Sequence, residues 1–229
     1  YGYGVDGTRT ASHGYMLAST YGMDSLKNND DPRLGKFYNT VNDGAGSTYV
    51  SLVWGQDVNF DQTISTVSSI GKGVLKSFSQ DQPIMTDFES LFLQAEAVQR
   101  GYISGSAQEA YEAAVTANFV YLGLTKAEAT TYLEDQAVAN WTGNSDKLAL
   151  IIKQKWAAMN GTNDIEPWSD YRRLELPADM PISIASTVTT KKIPVRMLYP
   201  QREYNTNSAN VVAEGSINQF TSRIFWDVK

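Results

Sequence analysis

Between Pro83 and Gly161 apolar residues recur at the three- and four-residue spacing of helix faces, and the stretch predicts four helices. The first follows Thr86-Asp87-Phe88-Glu89, a capping-box pattern, and sets Phe88, Leu91, Phe92, Ala95 and Val98 on one stripe before Gly101. A second opens at Ser106-Ala107-Gln108-Glu109, again a capping box. It carries Tyr111, Ala114, Val115, Phe119 and Leu122 on one face before Gly123, so the two predict an αα-hairpin. Thr125-Lys126-Ala127-Glu128 starts a third helix that includes Tyr132, Leu133 and Ala137. A fourth runs from about Ser145 through Leu148, Ile151, Ile152, Lys155, Trp156 and Met159 to Gly161.

The flanking zones lack this period. Residues 1–82 are rich in Gly, Ser, Thr, Asn and Tyr, with short β-branched or aromatic runs such as Thr48 to Trp54, and read as loops with a few short strands or helical turns. From Asn163 to Lys229 the chain is punctuated by proline and reads as irregular. Helix pairs in sequence are the repeat unit of solenoids. The spacing from Leu91 to Ala127 is loosely compatible with the tetratricopeptide period of about 34 residues. Ala95, Ala97, Ala110, Ala113 and Ala114 would let the paired helices approach closely. A free-standing solenoid usually needs at least three repeats, so two pairs lead to an expectation of further helices before the start at Tyr1-Gly2-Tyr3-Gly4, which looks like a cut.

Composition narrows the chemistry. With 19 basic and 25 acidic residues and a formal charge of −6, the chain offers no field to hold a phosphate backbone, which argues against nucleic acid. It has no cysteine and one histidine, His13. That excludes disulfides, a thiolate nucleophile and histidine-rich or cysteine metal cages, and no cofactor is expected. No stretch approaches the roughly 18 apolar residues of a membrane span.

His13 sits among hydroxyls but in no nucleophile motif, and reads as an exposed or hydrogen-bonded loop histidine. Asp30-Asp31, Asp57 with Asp61, and Glu134-Asp135 could in principle supply the paired carboxylates of glycoside hydrolysis, but read better as solvated charge. Asn28-Asn29-Asp30-Asp31 reads as a turn or helix cap, not a calcium loop. The formal sequons at Asn140 and Asn160 read as helix caps, and Gly71-Lys72-Gly73 lacks the pattern of a phosphate loop. Aromatic residues, 11% of the chain, are the enriched class with a binding use. Sugar C–H faces stack on flat rings while hydroxyls bond to amides and carboxylates. Candidate platforms are Tyr38, Tyr49, Trp54 and Trp226, with Asn39, Asn42, Asp43, Gln56 and Asp57 nearby; for each, a core plug beneath a loop is the alternative.

A series of motifs in order resembles the SusD-like branch of the SusD/RagB family. It runs from Asp31-Pro32-Arg33-Leu34 to Pro83 through Glu89, Leu93 through Ala97, Gly105, and Ala110 through Val115. It continues with Ile151 through Trp156, Asn160-Gly161, Glu166-Pro167-Trp168-Ser169-Asp170-Tyr171-Arg172-Arg173, Ile193-Pro194-Val195-Arg196 through Tyr199-Pro200, Glu203 and Asn210. Read as structure, Trp168, Arg172 and Arg173 follow a helix end. Pro194 and Pro200 hold extended chain that Arg196, Arg202 and Glu203 pin to the helices, so these residues are architectural.

The resemblance implies a mainly α-helical, non-catalytic outer-membrane lipoprotein with tetratricopeptide-like αα-hairpins, long irregular loops and few short strands. It implies that such a protein takes an oligosaccharide or another nutrient and delivers it to a TonB-dependent, SusC-like transporter. The signal, the lipidated cysteine and the first helix pairs are expected upstream, so the chain matches the C-terminal portion of a member and would meet the membrane only through that anchor. The expected organisation is one architecture over 1–229, with a ligand-face region to 82, a helical scaffold over 83–161 and a tail from 163 packing over the helices. Alternatives are a glycoside hydrolase with two loop carboxylates and a helical-repeat adaptor that binds protein.

Overall fold

The structure, a computed structural model, describes residues 2–57 and 65–227. After a 3-10 turn at Ala11–Tyr15 come α1 (Thr20–Lys27), α2 (Leu34–Phe37) and a hairpin of β1 (Val41–Asn42) and β2 (Ser47–Thr48), paired antiparallel with Val41 opposite Thr48. The scaffold follows as α3 (Asp87–Gln99), α4 (Ala107–Tyr121), α5 (Lys126–Asp135) and α6 (Lys147–Ala158). Then come α7 (Ile165–Leu174), α8 (Gln201–Thr206) and α9 (Ser208–Ala213), and the protein is mainly α-helical, as its sequence predicts.

Local signals set the ends of the scaffold helices. Thr86 and Ser106 each accept a hydrogen bond from the amide three residues on, and at Thr125 both halves of the capping box form with Glu128. α3 and α4 end alike. Gly101 and Gly123 take positive φ, Tyr102 N–H donates to the Ala97 carbonyl, and Leu124 N–H donates to that of Phe119. This closing bond satisfies carbonyls that would otherwise face no donor.

The stripes meet in one core. Phe88, Phe92 and Ala95 of α3 pack against Tyr111, Ala114, Val115 and Phe119 of α4, and α6 lies against both, adding Leu150, Ile151 and Ala158. The third helix stops earlier than its pattern predicts, at Asp135. Ala137 falls in an exposed turn, while the buried Ala139 takes the inner place and its carbonyl accepts the Tyr111 hydroxyl at 2.7 Å. A second cluster of Met23, Leu26, Phe37, Tyr38, Val74 and Leu122 lies beside the first, and Tyr121 at the end of α4 packs against both. Its loops touch backbone to backbone: Gly71 N–H donates to the Phe37 carbonyl at 2.6 Å, and a Cβ at Gly71 would lie 2.4 Å from the Lys36 carbonyl oxygen. That close approach is why glycine stands there.

Between the two clusters Arg33 is fully buried. Its guanidinium meets Asp31 Oδ2 at 2.6 Å, Gln154 Oε1 at 2.9 Å and Asn118 Oδ1 at 3.0 Å, and lies 5.1 Å from the Phe119 ring centroid. Burial alone would lower its pKa; Asp31 and then Tyr132 override it, and the group is held above its ordinary value. Asp31 is therefore not the solvated loop charge that its sequence context predicts. It is the buried counter-ion of a node tying α1 and α2 to α4 and α6. The exposed Pro32 forms the turn between the partners.

The segment after Asn163 is less irregular than expected, because α7 forms across Pro167. Proline is tolerated there because it occupies the first turn, where a backbone N–H has no intrahelical acceptor. Trp168, Arg172 and Arg173 thus lie on a helix, and α8 begins directly after Pro200. The pinning expected of Arg196 and Glu203 is not what these residues do. Arg196 donates to the Met197 carbonyl and lies over the Tyr199 ring, and Glu203 accepts from Asn207 within its own turn. The tail is held from the helix side, where Arg172 donates to the Val195 carbonyl and to Asp227 Oδ2 at 3.0 Å.

Candidate binding cleft

Three short segments lie side by side and bring the N-terminal loops to α6. Ala18 N–H donates to the Ser68 carbonyl, Leu52 N–H to that of Ala18, and Thr20 N–H to that of Leu52, all at 2.8–2.9 Å. This mesh starts α1 and sets the turn Val53-Trp54-Gly55-Gln56 beside it. The turn closes through Gln56 N–H to the Val53 carbonyl and through Val53 N–H to Gln56 Oε1, both at 3.0 Å. Trp54 at its apex is 56% exposed.

Two cavities of about 440 and 420 Å³ meet at this turn and share Tyr21, Trp54, Trp156 and Pro181. Tyr21 projects from α1 and Trp156 from α6, and their rings meet edge to face with centroids 5.0 Å apart. The Tyr21 hydroxyl donates to Asp179 Oδ1 at 2.9 Å, and burial, followed by Asp179, holds its pKa well above the usual tyrosine value. Asp24, Asn28, Asn29 and Lys153 supply polar groups to one cavity, Asn160 and Asp164 to the other. Flat aromatic walls with convergent amides and carboxylates suit a polyhydroxylated ligand.

A larger cavity, about 1450 Å³, opens between α3, α7 and the tail, with Trp168 and Trp226 in its wall. Several charged groups in and beside its wall are paired with one another. Glu96 takes Arg100 at 2.7 Å and both nitrogens of Arg173, Asp170 takes Arg173 at 2.7 Å and Lys155 at 2.9 Å, and Asp227 takes Arg172 and Arg223. Burial would raise the Glu96 carboxyl, but the two arginines bring it below its usual value. These pairs help hold the tail to the scaffold, whereas the two smaller cavities share an aromatic platform with amide and carboxylate margins, which makes them the better candidate.

Of the residues singled out in the sequence, the structure brings Trp54 and Tyr38 to the cleft. Tyr38 is only 8% exposed, and its hydroxyl accepts from Asn160 Nδ2 at 3.0 Å, so it is a core residue with an edge on the smaller cavity. Tyr49 packs against the second core cluster. Asn42 Oδ1 accepts from Gly44 N–H at 2.9 Å in the exposed β1–β2 turn, and Asp57 is exposed at the edge of the described chain. Asp61 lies outside the described residues. Trp226, 48% exposed, lies at the tail cavity under the Arg172 guanidinium and not with Trp54. His13 is buried, with Nε2 3.2 Å from Ser69 Oγ. Asn140 caps the end of α5, donating to the Leu133 and Glu134 carbonyls. Sequence reasoning did not single out Tyr21 and Asp179, which line this cleft, and read Trp156 only as part of a helix stripe. The available signal was a tryptophan directly after a lysine, Lys155-Trp156, on a helix whose apolar positions Ile151 and Ile152 already supply an inner stripe.

Among the described residues no group of three or more His, Cys, Asp or Glu side chains could hold a metal ion, and no helix is long and apolar enough to cross a membrane.

The protein is thus a helical scaffold that presents an aromatic cleft on irregular chain. Residues 7–200 match the SusD-like family described as "Starch-binding associating with outer membrane", and the chain belongs to that family, whose members are non-catalytic binding proteins. Among solved structures it is similar to a chitin-binding protein, at 25% identity over 92% of this chain and 50% of that one, with a TM-score of 0.71. A SusD homologue from Bacteroides thetaiotaomicron VPI-5482 is 26% identical over 89% of this chain and 50% of that one, TM-score 0.68. One from Bacteroides fragilis NCTC 9343, at 23% identity over 91% and 51% with a TM-score of 0.68, shares the fold. The chain spans about half the length of these structures. No curated protein matches it.

Proposed function

We propose that the protein binds an oligosaccharide or a related nutrient at the bacterial outer-membrane surface, without covalent chemistry, and passes it to a TonB-dependent transporter. The observation that carries this reading is the platform of Tyr21, Trp54 and Trp156 shared by two cavities with amide and carboxylate margins. The family description and the chitin-binding structural relative support a glycan as the ligand. Lipid anchoring upstream, and the division into ligand face, scaffold and tail, belong to the same proposal.

Isothermal titration of the chain with maltoheptaose, chitohexaose and other defined oligosaccharides tests it. Binding of at least one glycan is expected, weakened about tenfold or more, about 1.4 kcal/mol, by Trp54→Ala and by Trp156→Ala. Wild-type affinity in both variants would remove the cleft from the account. Silence across the panel would remove carbohydrate. Co-purification with a TonB-dependent transporter tests the delivery step.

A further inference from the structure

The cleft has a wall contributed from far along the chain. Residues 177–185 run past it, with Pro177, Asp179 and Pro181 among its lining. This strap is fastened at two points, each on an aromatic residue of the platform. Asp179 Oδ1 accepts the Tyr21 hydroxyl across 158 residues of sequence, and Ile184 N–H donates to the Trp54 carbonyl at 3.0 Å. The second contact requires Gly55. Its φ is +82°, and a Cβ there would lie 2.1 Å from Ser183 Oγ and 2.8 Å from the Ala185 amide nitrogen. The strap also carries a clamp of its own, since Lys191 Nζ donates to the Ser183 carbonyl at 3.1 Å.

We propose that this strap positions the aromatic platform, with Asp179 the positioning residue for Tyr21 and the Ile184 amide that for the Trp54 turn. The inference rests on the cleft being the ligand site. A tyrosine ring joined to the backbone by two rotatable bonds has several staggered positions, and only some set it edge-on to Trp156. The hydrogen bond to Asp179 selects one of them before ligand arrives, so less ordering remains to be done on binding. The Ile184 bond does the same for the Trp54 turn, which is otherwise the exposed apex of a loop.

The test compares Tyr21→Phe, Asp179→Ala, Asp179→Asn and Gly55→Ala with Trp54→Ala and Trp156→Ala in the full chain. Each is read by titration with whichever glycan binds and by near-ultraviolet circular dichroism without ligand. Tyr21→Phe, Asp179→Ala and Gly55→Ala are expected to weaken binding about tenfold, while Asp179→Asn, which keeps the acceptor oxygen, stays within about twofold of wild type. The aromatic dichroism should change in Asp179→Ala and be restored in Asp179→Asn. Unchanged dichroism in Asp179→Ala, or wild-type affinity in Tyr21→Phe and Asp179→Ala while Trp54→Ala loses binding, overturns the positioning role and leaves the cleft standing. Asp179→Asn as weak as Asp179→Ala, with Tyr21→Phe normal, replaces it with direct charge contact to ligand. Wild-type affinity in both Trp54→Ala and Trp156→Ala instead overturns the cleft itself.

Discussion

Replacing Arg33 with methionine keeps an unbranched, largely apolar stem and deletes the guanidinium charge at the junction of the two core clusters. The variant leaves the Asp31 carboxylate, 4% exposed, with the Arg33 backbone N–H at 2.9 Å but without the guanidinium bonds at 2.6–3.2 Å. Breaking one side of a buried pair costs about 3–5 kcal/mol, because the remaining charge stays desolvated. Asn118 Oδ1 and Gln154 Oε1 lose their donor as well, at about 1–3 kcal/mol for each buried acceptor left unmet. These amounts overlap, since the side chains can turn and water can enter. A loss of about 4–6 kcal/mol is therefore expected, comparable with the whole stability of many domains, roughly 5–15 kcal/mol. Urea unfolding followed by tryptophan fluorescence measures it. Asp31→Asn combined with Arg33→Met removes the orphaned charge, so the double variant is expected to be more stable than Arg33→Met alone by about 1–3 kcal/mol. A single-variant loss under about 1 kcal/mol, or a double variant weaker than the sum of the singles, would refute the view of this node as a coupled buried pair.

The remaining predictions concern a buried histidine and two helix caps. Burial, and next the charge of Arg9, lower the pKa of His13 below its ordinary 6.5. The unfolded chain therefore takes up this proton first, and stability is full above about pH 6.5 and falls as pH drops through the lower folded value. Thermal unfolding between about pH 7.5 and 5 should show a decline that is shallower in His13→Gln; equal slopes would count against it. Thr125→Ala removes the full capping box and should cost about 1 kcal/mol, read in the urea midpoint. Thr86→Ala, which loses a longer contact of 3.3 Å, should cost less.

How far the sequence could be read depends on the range of the interaction. Caps and stripes involve residues three or four apart, and Thr86, Ser106, Thr125 and the paired glycines at 101 and 123 act as their neighbours dictate. Helix α7 is hidden in a proline-punctuated stretch, although the place of Pro167 in its first turn makes that proline harmless. Asp31 was misjudged for a related reason. Its charge argues for solvent unless a partner is known, and the acceptors that complete the node come from Asn118 and Gln154, on helices far along the chain.

By itself, then, the chain's amino-acid order determined a helical scaffold with defined ends, an aromatic surplus and a set of family motifs, because period, capping and composition are local properties. Only the tertiary structure decided which aromatics share a cleft. Trp54 and Trp226 look alike as exposed tryptophans in irregular chain, yet one stands with Tyr21 and Trp156 while the other lies under Arg172 in an ion-pair lattice. That choice depends on contacts such as Tyr21 to Asp179, made once the core has brought distant segments together. No spacing along the chain encodes such a contact.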